Sequence, residues 1–296
     1  MRGSVVSLLV VVLVSCSTGE VSVAALAEAA GEGNAKAAKK LIETMGSKDA
    51  EKALAAYQSV LSLGKTVEPH LRRGLDSRDA AVSEACAAVL GNLGSPDNIP
   101  YLTAAIREGG KVPYSVVWAL GEIGDPEAVP ALVEVLRGPN DVLRKAAVRS
   151  LIRIGTPAGE HVQALLAEPL GKTGQRAVIR VIGGIRRGEA LRPLTLITGE
   201  NRDAAAWALG RIGDAEALEA LVGALGDARW EVRREAAEAL GRLEDDRAVP
   251  ALTDRLDDPE PVVREWAARS LETITGRQVL YRDEDGRMIP PYNLYR

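Results

Sequence analysis

The chain has 296 residues, a formal net charge of −4, and hydrophobic residues at 46% of its positions. That acidic balance excludes a general nucleic-acid binder, which needs a basic face. Aromatic residues make up 3% and phenylalanine is absent, so a core must be built from Leu, Val, Ile and Ala. Such a core suits close helix-on-helix packing.

Arg2 gives a small basic start, and Val5 to Ser15 is a largely apolar run. A transmembrane helix needs about 20 residues. The run is far shorter and reads as the core of a signal peptide. It closes on Leu13-Val14-Ser15-Cys16. These four residues resemble a bacterial lipobox. The resemblance implies that residues 1–15 are a signal peptide cleaved before Cys16. It also implies that Cys16 becomes the lipidated N-terminus, carrying diacylglycerol and palmitate. The alternative is an ordinary cleaved signal with an incidental cysteine. Residues 16–33 then form the lipidated N-terminus and a linker, the alanine-rich stretch 22–30 being either linker or a short helix.

Across positions 34–275 one phrase recurs, with a period of roughly 30 residues. Positions 88–102 read AVLGNLGSPDNIPYL, 118–132 WALGEIGDPEAVPAL, 207–221 WALGRIGDAEALEAL and 238–252 EALGRLEDDRAVPAL. Weaker copies centre on Leu151, Ile182 and Leu271. Apolar residues three and four apart predict a helix across each Leu-Gly. A glycine such as Gly124 then ends it. Asp125 and Pro126 suit the start of the next helix. The predicted first helices begin near residues 48, 79, 112, 142, 174, 202, 229 and 260, with Asp79, Asp141, Asp227 and Asp258 as caps. Their partners begin near 66, 96, 126, 157, 188, 215 and 246. A further helix over 34–45 closes the N-terminal end. The step from Ile182 to Leu209 is shorter than every other step between repeat anchors, which predicts a first helix that has lost about one turn. Repeats of this period stack into solenoids in which each unit buries its apolar face against its neighbours. The expected fold is all-α, a solenoid of about seven to eight helical hairpins with a short non-helical tail over 276–296. In the tail, Asp285-Gly286 reads as a hairpin turn.

The repeated phrase resembles the HEAT-like repeat of the phycobilin-lyase type over roughly positions 50–275. The resemblance implies an α-solenoid, and members of that family include bilin lyases, hydroxylases and plain binding scaffolds. The fold does not by itself imply an activity.

Residues that would carry chemistry are sparse. His70 and His161 are the only histidines and stand far apart in the chain, which does not make a metal shell. Gly64-Lys65-Thr66 and Gly171-Lys172-Thr173 end like a phosphate-binding loop, but Ser59 and Leu166 stand where that loop needs its first glycine. Cys86 lies among alanines and reads as a small buried hydrophobe. Trp118 and Trp207 share one place in their repeats and read as packing residues. Trp230 and Trp266 lie near helix starts. Positions 171–192 carry Lys172, Arg176, Arg180, Arg186, Arg187 and Arg192 against one acid, Glu189. Positions 213–275 carry 16 acids against 8 bases. Two readings of the basic segment stand: solvated faces with repeat-to-repeat Arg–acid pairs, or a cationic stripe for an anionic partner, which would steer its association.

These observations predict a non-enzymatic protein-interaction scaffold with no cofactor and no metal. It would be held in a bacterial cell envelope by the lipid on Cys16, on a periplasmic or other extracytoplasmic face. Its partner would be an anionic protein, bound through the six basic residues. An enzyme-accessory or lyase-type protein and a structural envelope protein are the alternatives.

Overall fold

The computed structural model describes residues 21–108, 113–186, 188–195, 197 and 199–291. Two layers of helices alternate along the chain. The odd-numbered layer comprises α1 (Val23–Gly31), α3 (Ala50–Leu63), α5 (Ala80–Leu93), α7 (Tyr114–Ile123), α9 (Asp141–Ile154), α11 (Gly171–Ile185), α13 (Arg202–Ile212), α15 (Trp230–Leu243) and α17 (Pro261–Thr275). The even-numbered layer comprises α2 (Ala35–Thr44), α4 (Glu68–Gly74), α6 (Ile99–Glu108), α8 (Val129–Arg137), α10 (Gly159–Ala164), α12 (Leu191–Thr195), α14 (Leu218–Ala224) and α16 (Val249–Asp254). Most even-numbered helices are entered through a 3-10 turn, such as Pro126–Ala128 or Asp246–Ala248. The chain is an all-α solenoid, as the periodicity predicts. The predicted helix starts fall within one helical turn of the observed ones, and α13 is short of a turn relative to α11 and α15.

Three expectations are corrected. The alanine-rich stretch, placed in the linker 16–33 with a short helix as the alternative, is helical: α1 packs on α2 and α3 and adds one more hairpin to the stack, with Leu26 and Ala30 buried. Its alanines and Leu26 make an apolar stripe that only a neighbouring helix can cover. Asp141 is the first residue of α9, while Asn140 is the cap, accepting from Val142 N–H at 2.9 Å and Leu143 N–H at 3.2 Å. Asp227 and Asp258 lie two residues ahead of their caps, Arg229 and Glu260, and accept from the N–H groups of those residues. This placement leaves their second carboxylate oxygens for arginines of the preceding helices.

The repeat leucines form the core. Leu90, Leu120, Leu151, Ile182 and Leu240 are fully buried, within one apolar cluster running from Leu26 to Leu271. Each such side chain contributes about 1.5–3 kcal/mol of transfer free energy. The glycine after each leucine serves a different purpose. A β-carbon on Gly91 would stand 2.7 Å from the Cα of Ala119, and one on Gly210 would stand 2.7 Å from the Cα of Ala239. On Gly183 it would stand 2.9 Å from the Cα of Ala208. Consecutive odd helices therefore touch backbone to backbone. Where the facing residue is serine, it adds a bond across the seam: Ser150 Oγ donates to the Val117 carbonyl at 2.9 Å, and Ser270 Oγ to that of Ala237 at 2.7 Å. In α9 the glycine is replaced by Ile152, and its side chain rests against Gly184 of α11, so knob and hole are exchanged.

A second seam is electrostatic. Arg233 sends Nε and Nη2 to the two oxygens of Asp258, both at 2.8 Å, and Nη1 to the Asp227 carbonyl at 2.9 Å. Arg202 pairs with Asp227 one repeat earlier. At the end of the stack Arg264 finds no further repeat. Its guanidinium donates to the backbone carbonyls of Arg282 at 2.6 Å and Asp283 at 3.1 Å instead. Those residues belong to a hairpin in which β1 (Tyr281–Arg282) pairs antiparallel with β2 (Met288–Ile289). The turn between them contains Gly286 in the left-handed conformation. Tyr281 is buried, and Val279 packs on the core.

Candidate partner-binding surface

The odd layer is joined by glycine-to-backbone contacts, and consecutive odd helices pack on one another far more closely than consecutive even helices do. A stack spaced more closely in one layer curves toward that layer, so the odd helices line the inner face. Side chains three places before and one after each repeat glycine point away from the core along this face. In chain order from α7 to α13 they include Trp118, Arg149, Arg153, Arg180, Trp207 and Arg211.

The two tryptophans are half-buried. The Trp118 ring covers Gly91 and the Trp207 ring covers Gly183 on the preceding helices. Packing therefore holds one part of each ring and leaves the rest on the inner face. Arg180 reaches Trp207 from α11, 5.9 Å from the ring centroid, and Arg211 reaches it from its own helix at 6.0 Å. Arg149 of α9 donates to the Tyr114 hydroxyl at 2.8 Å and lies 6.0 Å from that ring. Cations at these distances are attracted by the π face. Among the described residues, Arg149, Arg180 and Arg211 have no carboxylate partner, and the Nε of Arg211 is buried without a hydrogen bond.

Other arginines of the same face are matched. Arg153 pairs with Glu122, Arg242 with Glu238, and Arg269 with Glu265 at 2.6 Å. Arg176 sends Nη1 and Nη2 to the two oxygens of Asp203 at 3.1 and 2.5 Å. Burial pushes the Asp203 carboxyl up, but the hydrogen bonds and charge of Arg176 outweigh it and hold the group below the usual carboxylate range. On α15 the balance reverses. Burial raises the Glu235 carboxyl, with Arg234 pulling against it and Glu238 adding to it. The uncompensated cations thus end at α15, where Glu235 and Glu238 are paired with Arg234 and Arg242.

The six predicted basic residues do not form one stripe. Lys172, Arg176 and Arg180 recur every fourth residue on one face of α11. Lys172 lies 3.2 Å from Glu200, and Arg176 is tied to Asp203. Arg180 alone of these joins the aromatic track. Arg186 ends α11 in the left-handed conformation, at φ 54°, in the place glycine takes after α5, α7 and α13. Arg192 is exposed on α12 in the other layer. Arg187 lies outside the described residues, as does Cys16. Arg149 and Arg211 were not marked by a charge count along the chain. The signal that finds them is their spacing: Trp118, Arg149, Arg180 and Arg211 follow one another at one constant interval, the full repeat length.

Elsewhere the polar features are dispersed. His161 is exposed on α10. His70 lies in a groove of roughly 560 Å³ between α2, α4 and α5, with Lys36, Lys39, Glu43, Arg73 and Asp76. Among the described residues no three His, Cys, Asp or Glu side chains cluster as a metal site. Cys86 is fully buried, and desolvation pushes its thiol up to about 12. Trp230 is 39% exposed, and Trp266 carries Arg269 at 5.0 Å from its ring.

The HEAT-repeat family profile matches residues 110–183 and 198–272, together half of the chain. Among solved structures, the chain is similar to Kap95p, whose structure was determined with RanGDP. The TM-score is 0.58 and the identity 14%, over 82% of this chain and 40% of that one. It is also similar to the CpcE–CpcF complex of phycocyanin lyase from Nostoc sp. PCC7120, at TM-score 0.39 and 22% identity over 69% and 86% of the two chains. Human deoxyhypusine hydroxylase is similar at TM-score 0.36 and 20% identity over 84% and 98%. No curated protein sequence matches the chain. Kap95p shares the fold, and the profile supplies the family: this chain belongs to the HEAT-repeat proteins.

Proposed function

We propose that the chain is a lipid-anchored, extracytoplasmic scaffold that binds a protein partner on the inner face of its solenoid and performs no chemistry of its own. The observation that carries the binding role is the inner-face track of Trp118, Arg149, Arg180, Trp207 and Arg211. There, guanidiniums and indoles are presented by rigid helices without carboxylates to neutralise them. A rigid element holds such groups with little ordering cost on binding, and arginine and tryptophan are the residues that most often dominate interfaces. A HEAT-repeat solenoid supplies the extended surface such a role needs.

The anchor is read from Leu13-Val14-Ser15-Cys16. Only Ser17 to Val21 separate Cys16 from Ser22, which caps α1. A lipid on Cys16 would therefore hold the N-terminal end of the stack close to the membrane and concentrate a bound partner there. Two or three acyl chains anchor stably where one is marginal. Cys16→Ala is expected to release the protein from membranes or to leave the precursor uncleaved. Membrane fractionation and intact mass of the mature protein test this. A mature form with an unmodified Cys16 would remove the anchor, and full capture of the partner by an inner-face variant would remove the scaffold reading.

A further inference from the structure

We propose that the track across α9, α11 and α13 binds an extended acidic polypeptide whose carboxylates recur at every third residue. The inference rests on the scaffold reading above and names the chemistry of its partner. Three observations carry it.

The first is charge. Elsewhere on this face arginines are matched by acids, Arg153 by Glu122, Arg176 by Asp203 and Arg242 by Glu238. Arg149, Arg180 and Arg211 are not, and each lies instead against an aromatic ring. A ring fixes a guanidinium without neutralising it, so the N–H groups of Arg180, the terminal ones of Arg211 and those of Arg149 not given to Tyr114 remain to donate to a carboxylate.

The second is spacing. The three cations come from consecutive odd helices. Those helices meet through glycine and small side chains, at the close end of the usual separation of about 8–10 Å. An extended chain in the polyproline II conformation advances about 3.1 Å per residue with three residues per turn. Three residues of such a chain therefore span about one helix-to-helix step, and every third side chain lies on the face toward the next guanidinium. A helical ligand advances only about 1.5 Å per residue and would need roughly six residues per step.

The third is the boundary. On α15 no cation of this face is left unmatched: Arg242, next in line after Arg211, pairs with Glu238, and Arg234 pairs with Glu235 and Glu238. A uniformly charged polyphosphate chain would find no free cation there. A peptide can change sign along its length, and one whose acids stop after the third position fits.

The test uses the full-length protein and a panel of synthetic ligands. One is a twelve-residue peptide with Glu at every third position among Ser, Thr and Tyr. A second has the same composition with the acids adjacent. A third is a single-stranded oligonucleotide of equal charge. Binding is followed by the fluorescence anisotropy of the labelled ligands. The spaced peptide is expected to bind best, to weaken as salt rises, and to lose about tenfold or more in affinity to the triple variant Arg149→Gln, Arg180→Gln, Arg211→Gln. Lys39→Gln, on the far groove, should leave binding unchanged. Equal binding of the spaced and adjacent peptides would overturn the three-residue register. Preference for the oligonucleotide, or indifference to the triple variant, would overturn the assignment as a whole. A photo-crosslinker at position 211 separates this from the scaffold reading. If it captures a membrane protein that the spaced peptide does not displace, the scaffold stands and the acidic-peptide assignment falls.

Discussion

Replacing Gly210 with alanine should destabilise the protein, although the same change in an open helix stabilises. Alanine in a helix interior is favoured over glycine by about 1 kcal/mol. At Gly210, however, the added methyl would stand 2.5 Å from the Cβ and 2.7 Å from the Cα of Ala239 on α15. Neither atom can rotate away, so α13 and α15 must separate along their whole contact. Overpacking of this kind costs about 1–3 kcal/mol, and a backbone obstacle places it near the upper end. The net loss is about 2 kcal/mol once the helix preference is set against that upper value. For a chain of this size that lowers the melting temperature by roughly 3–4 °C. Gly223 on α14 is the internal control. It has nothing within 4 Å of its β-carbon position, so Gly223→Ala should gain up to about 1 kcal/mol. Ala239→Gly should partly rescue Gly210→Ala, because the clash is pairwise, giving a coupling of about 0.5–3 kcal/mol. The two single variants, the rescue pair and the wild type can be compared by urea unfolding and calorimetry. If Gly210→Ala is as stabilising as Gly223→Ala, the close approach of the odd helices is not what the repeat glycine is for.

Three further outcomes are expected. Leu240→Ala should cost about 2–5 kcal/mol through the cavity it leaves, and hydrogen exchange should quicken in α13 to α17 more than in α3 and α5, since repeats couple to their neighbours. Arg233→Ala should cost about 3–5 kcal/mol by stranding a buried carboxylate. It should also move acid unfolding to higher pH. Burial alone would raise Asp258, but the hydrogen bonds and charge of Arg233 hold it below its usual range. Its contribution is therefore complete above the unfolded value near pH 4 and is lost as pH falls further, and without Arg233 that loss begins earlier. Deleting residues 279–296 should lower the melting temperature and promote aggregation, because Arg264 and the buried Tyr281 lose their contacts; a truncated chain that melts unchanged would make the hairpin a docking segment instead of a cap.

Most of the fold was legible because the forces that make it are local and repeated. Leu120, Gly124, Asp125 and Pro126 state a buried face, a left-handed stop and a helix start within two turns of chain, and the chain says so several times. What misled was use of one residue type for two tasks. Asp79 caps α5 as predicted. Asp227 and Asp258 look alike in the sequence, yet they stand outside their helices because an arginine from the previous repeat claims their free oxygens. That partner lies most of a repeat away in the chain, and a reading confined to the neighbourhood of the aspartate has no access to it. The same limit hid α1: its alanines look like linker until α2 and α3 are present to cover them.

The candidate surface was legible in principle, but along a different axis. Counting charge along the chain selects the segment from Lys172 to Arg192, which the fold then divides between two layers and a helix end. Counting along the stack selects positions one repeat apart. Arg149 and Arg180 are equivalent by this measure, each three places before the repeat glycine position. Arg211 keeps the same spacing from Arg180 but not the register, because the step from Ile182 to Leu209 is the short one. The missing turn slides α13 back against the interval. It puts Trp207 where the next arginine would have been and carries Arg211 one turn further along the same face. That is why a single indole lies under two guanidiniums, Arg180 at 5.9 Å and Arg211 at 6.0 Å. A full-length repeat at this place would have set an arginine opposite Arg180, as Arg180 stands opposite Arg149, with no indole between them. The shortened repeat thus turns a run of equivalent arginines into a shared indole site, and it does so by changing the register of one helix and not the composition of the face.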